Sequence, residues 1–468
     1  MSADAAPPDA PVASLSLEHF RLRGMEQGRL TGVSLAVHAI PDAFLLMHCG
    51  VGCKHKATSQ LSTHDWGRGT VEREGWTEVG DAELIAGASD RLGPYLRSWV
   101  KRIDPGIVVV ISVTFLELTG EDTRSVVAQE ADTVACPVVF VDAQGTSGDL
   151  HTGYAATLVE LARRIDWSPP PSRPRAVGVL GYLFDRYEGD HAGNLDQLRR
   201  LVADLGLEPG PILLSGSPWA DLQQVRDCGF LVQLPYAAPK RRQLQRVLKR
   251  SRPVVEVELP VGLRGSTRFL LALARVVGLA EAPVARKAAA RAQSVRTRLG
   301  AMAERLRGLR VAVFADLPLL AGTLSVLEEL GVEVVLAGIR GPGFGGRDEL
   351  CAALERLGAP VPPGLTVLVD PSLEAATQAV RARLGSLDGI LASATELNAI
   401  ATLPAEAFLE PDGGPRRATG PFTLELGFPC KQHHAIAVQP WMGFAGVLTW
   451  AQRLLDAPRL WDSGLGQR

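Results

Sequence analysis

Along the chain, short apolar runs alternate with stretches whose apolar positions recur at helical spacing. Strands are predicted at Ile107–Val113, Val138–Val141, Ala176–Gly181, Ile212–Leu214, Val254–Glu258, Val311–Ala315, Val332–Ala337, Leu365–Val369 and Gly389–Ala392, and an earlier apolar run covers Ile40 to Met47. Such strands interleaved with helices specify an α/β fold class, parallel sheets flanked by helices. Three Rossmann-like units are expected: residues 21–170, residues 171–283, and a linking helix with a third unit over 284–468, after a flexible N-terminus at 1–20. Proline-rich Pro169–Pro174 separates the first two units, and the Ala/Arg-rich stretch Val284–Arg307 reads as a long helix entering the third. The basic run Lys240–Arg250 carries leucine and valine at helical spacing, which makes it an exposed helix face rather than a phosphate site.

Composition removes several function classes. With 49 basic and 51 acidic residues among 468, the formal net charge of -2 leaves no electrostatic footprint for nucleic acid or an anionic membrane. Six cysteines over this length make no disulfide framework. No segment reaches the roughly 18 apolar residues of a membrane span, and Met1 to Ala13 lacks the basic and apolar regions of a signal peptide. A cytoplasmic setting is expected.

Candidate chemistry concentrates in His48-Cys49-Gly50-Val51-Gly52-Cys53, which follows the first apolar run and holds two of the cysteines. Thiolates on a glycine-bent turn at a sheet edge can ligate iron or zinc, and glycines let a bulky cluster approach the backbone. A packed strand end is the alternative, because cysteine is commonly buried. A second pattern, Gly341-Pro342-Gly343-Phe344-Gly345-Gly346, matches GxGxxG and could cradle a dinucleotide pyrophosphate as in a dehydrogenase. It follows the second strand of its unit and carries a proline in the turn, which favours a plain loop. No GxxxxGK[ST] occurs, so the chain has no P-loop for ATP hydrolysis.

Several segments together resemble the catalytic component of nitrogenase and its relatives, among them the protochlorophyllide and chlorophyllide reductases. The turn ending in Cys53 is similar to the family's His-Gly-Pro-x-Gly-Cys turn. Gly28-Arg29-Leu30-Thr31-Gly32 sits where the family often has Cys-x-Pro-x-Gly, and Val113 to Asp122 looks like its Thr-Cys-x-x-Glu segment. Pro260-Val261-Gly262, Thr267 and Phe269-Leu270 match a further stretch, and Gly427 to His434 with Pro440 to Gly446 looks like the segment closing the active-site cavity.

What the resemblance implies is a nitrogenase component 1-like fold and an iron–sulfur cluster shared with a paralogous partner subunit in a heterotetramer. A separate iron protein would carry ATP and deliver electrons. Cys53 falls at a cluster-ligand position, whereas Gly28 and Thr114 occupy two other cysteine positions, so one chain cannot complete a cubane. Cys49 replaces a glycine of the turn, as a second ligand or a small apolar substitute. Nitrogenase holds its large metal cofactor by a cysteine and a histidine; His434 matches the histidine, but the cysteine position falls near Pro235, with Cys228 upstream. His433 and His434 are therefore candidate proton donors to a small-molecule substrate, or loop histidines bonded to backbone. A scaffold subunit for nitrogenase cofactor assembly is the alternative within the same family.

Overall fold

The computed structural model describes residues 27–50, 73–113, 116, 120–143, 148–183, 190–248, 251–341, 345–401, 421–430 and 437–462. Three parallel sheets organise them. The first contains β1 (Ala43–His48), β2 (Glu74–Trp76), β3 (Ile107–Ser112) and β4 (Val138–Asp142) in the order β2-β1-β3-β4. The second contains β5 (Arg173–Leu180), β6 (Glu208–Ile212), β7 (Cys228–Gln233) and β8 (Val254–Glu256) in the order β6-β5-β7-β8. The third contains β9 (Arg310–Asp316), β10 (Glu333–Arg340), β11 (Thr366–Val369), β12 (Gly389–Ala392) and β13 (Phe422–Glu425) in the order β11-β10-β9-β12-β13.

Every residue of β1, β3 and β12 is buried, the condition of a parallel sheet covered on both faces. The predicted α/β class with helix-flanked parallel sheets is the observed one. Local details differ where the backbone turns sharply. The strand expected at Ile212–Leu214 instead ends at Ile212, since Leu214 takes a positive φ of 59° and leaves the sheet. The long helix expected to Arg307 ends at Leu299, where Gly300 adopts a φ of 47°. Within the basic run, the helix Arg241–Leu248 buries Leu244 and Leu248 and leaves Arg241 and Arg242 exposed.

Two cores, each crossing a unit boundary, tie the sheets together. One joins the first and second units through residues such as Leu45, Ile111, Leu180 and Leu231. The other joins the second and third through Val177, Phe269, Val313 and Trp450. Polar contacts reinforce the first seam: Gly216 donates its amide to the Ala39 carbonyl at 2.8 Å, and Trp219 donates its amide to the Asp42 carboxylate at 2.8 Å.

One contact sets the shape of the first unit. The helices Arg29–His38 and Leu150–Arg163 cross at backbone contact, because a Cβ added to Gly32 would lie 1.8 Å from the Leu150 carbonyl oxygen. A Cβ at Gly153 would lie 2.1 Å from the Arg29 carbonyl oxygen. Their N-termini, at Gly28 and Asp149, consequently reach the same large cavity. Substituting Gly32 by Val should destabilise the protein by about 1–3 kcal/mol or more. A urea midpoint equal to that of wild type would show that the helices can separate freely.

Candidate functional site

At the carboxyl end of β1, Thr77 organises the start of the cysteine-bearing turn. Its hydroxyl oxygen accepts the Cys49 amide at 3.1 Å and pairs with His48 Nδ1 at 2.9 Å. Burial lowers the His48 pKa to about 4 despite Glu121, whose carboxylate lies 3.9 Å from Nε2, so the ring is neutral at pH 7. Cys49 is fully buried, and its carbonyl accepts the Val79 amide at 3.0 Å. Cys53 and Thr114 lie outside the described residues. Gly28 begins the helix Arg29–His38 in open space: a Cβ there would meet nothing within 4 Å. Among the described residues no three His, Cys, Asp or Glu side chains converge to hold a metal ion.

The large cavity, about 570 Å³, lies where the first and third units meet. It opens at the carboxyl ends of β9, β10 and β11 and at the start of the helix after β12, beside the point where strand order reverses. Asp316 ends β9 and is buried; its Oδ1 caps the following helix at the Leu319 amide, 3.1 Å away, and accepts the Tyr236 hydroxyl at 3.0 Å. Arg340 ends β10 and reaches the Ser393 hydroxyl and the Phe428 carbonyl at 3.2 Å each and Glu396 at 3.3 Å. Asp370, just past β11, holds a strained φ of 44° and accepts the Gly341 amide at 3.3 Å. Asp149 caps the helix Leu150–Arg163 at the Thr152 amide, 2.9 Å away.

His151 is buried in the wall of this cavity and stacks on Tyr236, with ring centroids 5.8 Å apart. Burial depresses its pKa below the ordinary imidazole value, while Asp316 and Asp149 pull it upward and Arg340 adds to the depression. The described lining thus offers four carboxylates, one guanidinium and one imidazole, and no thiol.

The candidate cysteine position in the second unit lacks a thiol too. Leu234 and Pro235 follow β7 at its carboxyl end, whereas Cys228 starts β7 at the opposite end of the strand. Burial pushes the Cys228 thiol up to about 11. The described residues therefore do not fit a cofactor held there by cysteine. His433 and His434 lie outside the described residues. The chain enters their segment past Phe428, which lines the large cavity, and is described again from Ala437.

Asn194 fastens the chain beyond that segment. Its side-chain oxygen accepts the amides of Trp441 and Met442 at 2.7 and 3.0 Å, and its amide donates to the Asp190 carboxylate at 2.7 Å. Val261 pairs with Met442 in an isolated antiparallel bridge, so both strand-like segments are held against the second unit.

A sequence profile of nitrogenase component 1 type oxidoreductases matches residues 29–458. The chain belongs to this family. Over 318 residues it is 21% identical to the nitrogenase iron-molybdenum cofactor biosynthesis protein NifE of Clostridium pasteurianum, covering 66% of each chain, just under two thirds of that relative's length. It is 25% identical over 285 residues to a subunit of the light-independent protochlorophyllide reductase of a Synechococcus species, covering 56% of this chain and 54% of that one. In fold it is similar to the structure described as nitrogenase Cp1 at pH 6.5, with a TM-score of 0.71 at 15% identity over 92% of both chains.

Within this member of the family one amide at the helix after the glycine-rich loop is already occupied. The amide of Gly346, which begins the helix Arg347–Leu357, is taken by Glu349 at 2.8 Å, the position a pyrophosphate would need. Sequence reasoning missed Asp316, Arg340, Tyr236 and Asn194. Asp316 and Arg340 were findable as polar residues closing apolar strands, whereas Tyr236 and Asn194 carry no local signal.

Replacing Asn194 by Ala strands two buried amides, each costing about 1–3 kcal/mol. Hydrogen exchange at Trp441 and Met442 should accelerate strongly relative to the rest of the core. Unchanged protection would remove Asn194 as the fastening.

Proposed function

We propose that this chain is one subunit of the catalytic component of a nitrogenase-like, ATP-dependent two-component reductase. Electrons would come from a separate iron protein, through an iron–sulfur cluster shared with a paralogous subunit, to an unsaturated small molecule. The observation that carries the reading is the large cavity at the unit junction, whose described lining is carboxylate, imidazole and guanidinium without a thiol. Reducing an unsaturated bond requires a proton for each electron, and such a lining holds and moves protons. It suits a metal–sulfur cargo poorly, since that chemistry calls for thiolate and a positive surround.

Cys53, with Cys49 at CxxxC spacing as the candidate second thiolate, supplies this chain's share of the cluster site, and the partner subunit supplies the rest. A cluster bound there contributes single-electron transfer. His434 and His433 serve as proton donors on the segment that begins beside Phe428. Arg340 and Glu396, paired at 3.3 Å, position a polar substituent of the substrate.

A scaffold subunit for nitrogenase cofactor assembly is the second reading. It is favoured by the NifE relative of Clostridium pasteurianum, whose likeness covers 66% of this chain against 56% for the Synechococcus reductase subunit. Anaerobic purification with the co-encoded partners, followed by iron and sulfide analysis and by a measurement of ATP-dependent electron consumption, separates the two. Sustained consumption supports the reductase; a stably held metal–sulfur precursor without turnover supports the scaffold.

The separated chain should carry little iron, because one or two thiolates cannot complete a cubane. A full, stable cluster on it would defeat the shared site. Cys53→Ala should abolish or convert the iron–sulfur EPR signal of the reduced complex, and an unchanged signal with unchanged iron would exclude Cys53 as a ligand. His434→Ala should lower ATP-dependent turnover by about 10²–10⁴-fold with iron content and assembly intact. Full activity would return His434 to a loop role, and loss of metal would make it a ligand.

A further inference from the structure

Behind the large cavity lies a second chamber of about 40 Å³. Its polar wall is formed by Tyr182, Asp190, His191, Asn194, Tyr236 and Asp316. The two spaces share Leu183, Phe428 and Asp316, and only Asp316 among these can carry a proton. Tyr236 forms the partition: its ring stacks on His151 of the large cavity, and its hydroxyl donates to Asp316 at 3.0 Å. A polar space of this size holds about one to three waters, and a water needs two to four polar partners, which this wall provides.

Asp190 is 6% exposed. Burial raises its pKa to about 6, against the pull of Arg453 from the C-terminal helix and of its hydrogen bonds with Asn194 and Trp441. His191 beside it is held down to about 3 by burial and meets the Tyr182 hydroxyl at 2.6 Å, so it stays neutral and does not compete for the proton. Among the described residues, the groups facing Asp190 or its chamber are Arg453, Asn194, His191, Tyr182, Tyr236 and Asp316.

We propose that Asp190 is the proton store of the large cavity and loads Asp316 through water in this chamber. The O–H bond of Asp190 breaks and its electron pair stays on the Asp190 carboxylate. The proton passes along the water, and an O–H bond forms on Asp316. Asp316 then presents the proton to the large cavity, and Asp190 regains one from solvent. The assignment rests on the reductase reading for its purpose, while the linkage between the two carboxylates is measurable without it.

Infrared difference titration of the full chain, with aspartate labelled at the carboxyl carbon, tests the linkage. A protonated-carboxyl band should titrate near pH 6, as the Asp190 shift implies, and disappear in Asp190→Asn. In Asp316→Asn, which keeps the helix-capping acceptor, the band should move, because the water link between the two side chains has lost the carboxylate at its far end. Tyr236→Phe should also displace it, and Asp370→Asn, which lines only the large cavity, should leave it in place. A band absent from the wild type, or unmoved by both Asp316→Asn and Tyr236→Phe, overturns the proposal.

In the assembled complex with its iron protein, ATP-dependent electron consumption gives the second readout. Asp190→Asn should remove the limb of the pH profile near 6 while iron content stays constant. A limb that survives in Asp190→Asn overturns the role of store. No ATP-dependent electron consumption by the wild-type complex, with the infrared linkage intact, sinks the reductase reading and leaves the linked pair standing.

Discussion

The hydrogen bond from Tyr236 to Asp316 is the contact on which the architecture around the cavity turns. Tyr236 follows the last residues of β7 in the second unit, and Asp316 ends β9 in the third. Their 3.0 Å bond therefore spans two sheets at the carboxyl ends of both. The same carboxylate starts the helix Leu317–Glu329, which packs along the core shared by those units. A buried carboxylate is costly unless its acceptor sites are filled, and here the filling groups come from both sides of a unit boundary. The geometry of the boundary is thereby tied to the geometry of the site.

The described cavity wall is rich in carboxylates and carries no thiol. Each carboxylate has a defined partner: Thr152 for Asp149, Tyr236 for Asp316, the Gly341 amide for Asp370, Ser393 and Arg340 for Glu396. These partners orient the oxygens, and for Glu396 the partner is a guanidinium. The Cys228 thiol lies at the far end of β7, where burial pushes its pKa up. A family fold built around metal and sulfur thus presents, in its described residues here, a lining suited to acid–base work.

The fold was largely legible because buried parallel strands are written as uninterrupted apolar runs. Ile107–Ser112 and Gly389–Ala392 are such runs, and their burial is complete. Glu74–Trp76 and Phe422–Glu425 were not legible: they are short, contain charged or small residues, and owe their state to the registers of β1 and β12 beside them. The helix ends at Leu299 and the strand end at Ile212 depend on single positive-φ residues, which hydropathy does not encode. The site was legible only as motif chemistry. Thr77, Asp316, Tyr236 and Asn194 act through contacts across 28 to 248 positions of sequence, distances over which no local pattern operates.

The backbone contact between the helices that begin at Arg29 and Leu150 also limits how this protein can diversify. Neither Gly32 nor Gly153 has room for a single carbon, so the wall they position admits no gradual change. Across the cavity, Arg340 and Asp370 stand at the ends of β10 and β11 in the third unit, where no helix crossing depends on their side chains. The lining can change by single substitutions on that side. The cavity has one face that evolution must keep and one that it can rewrite.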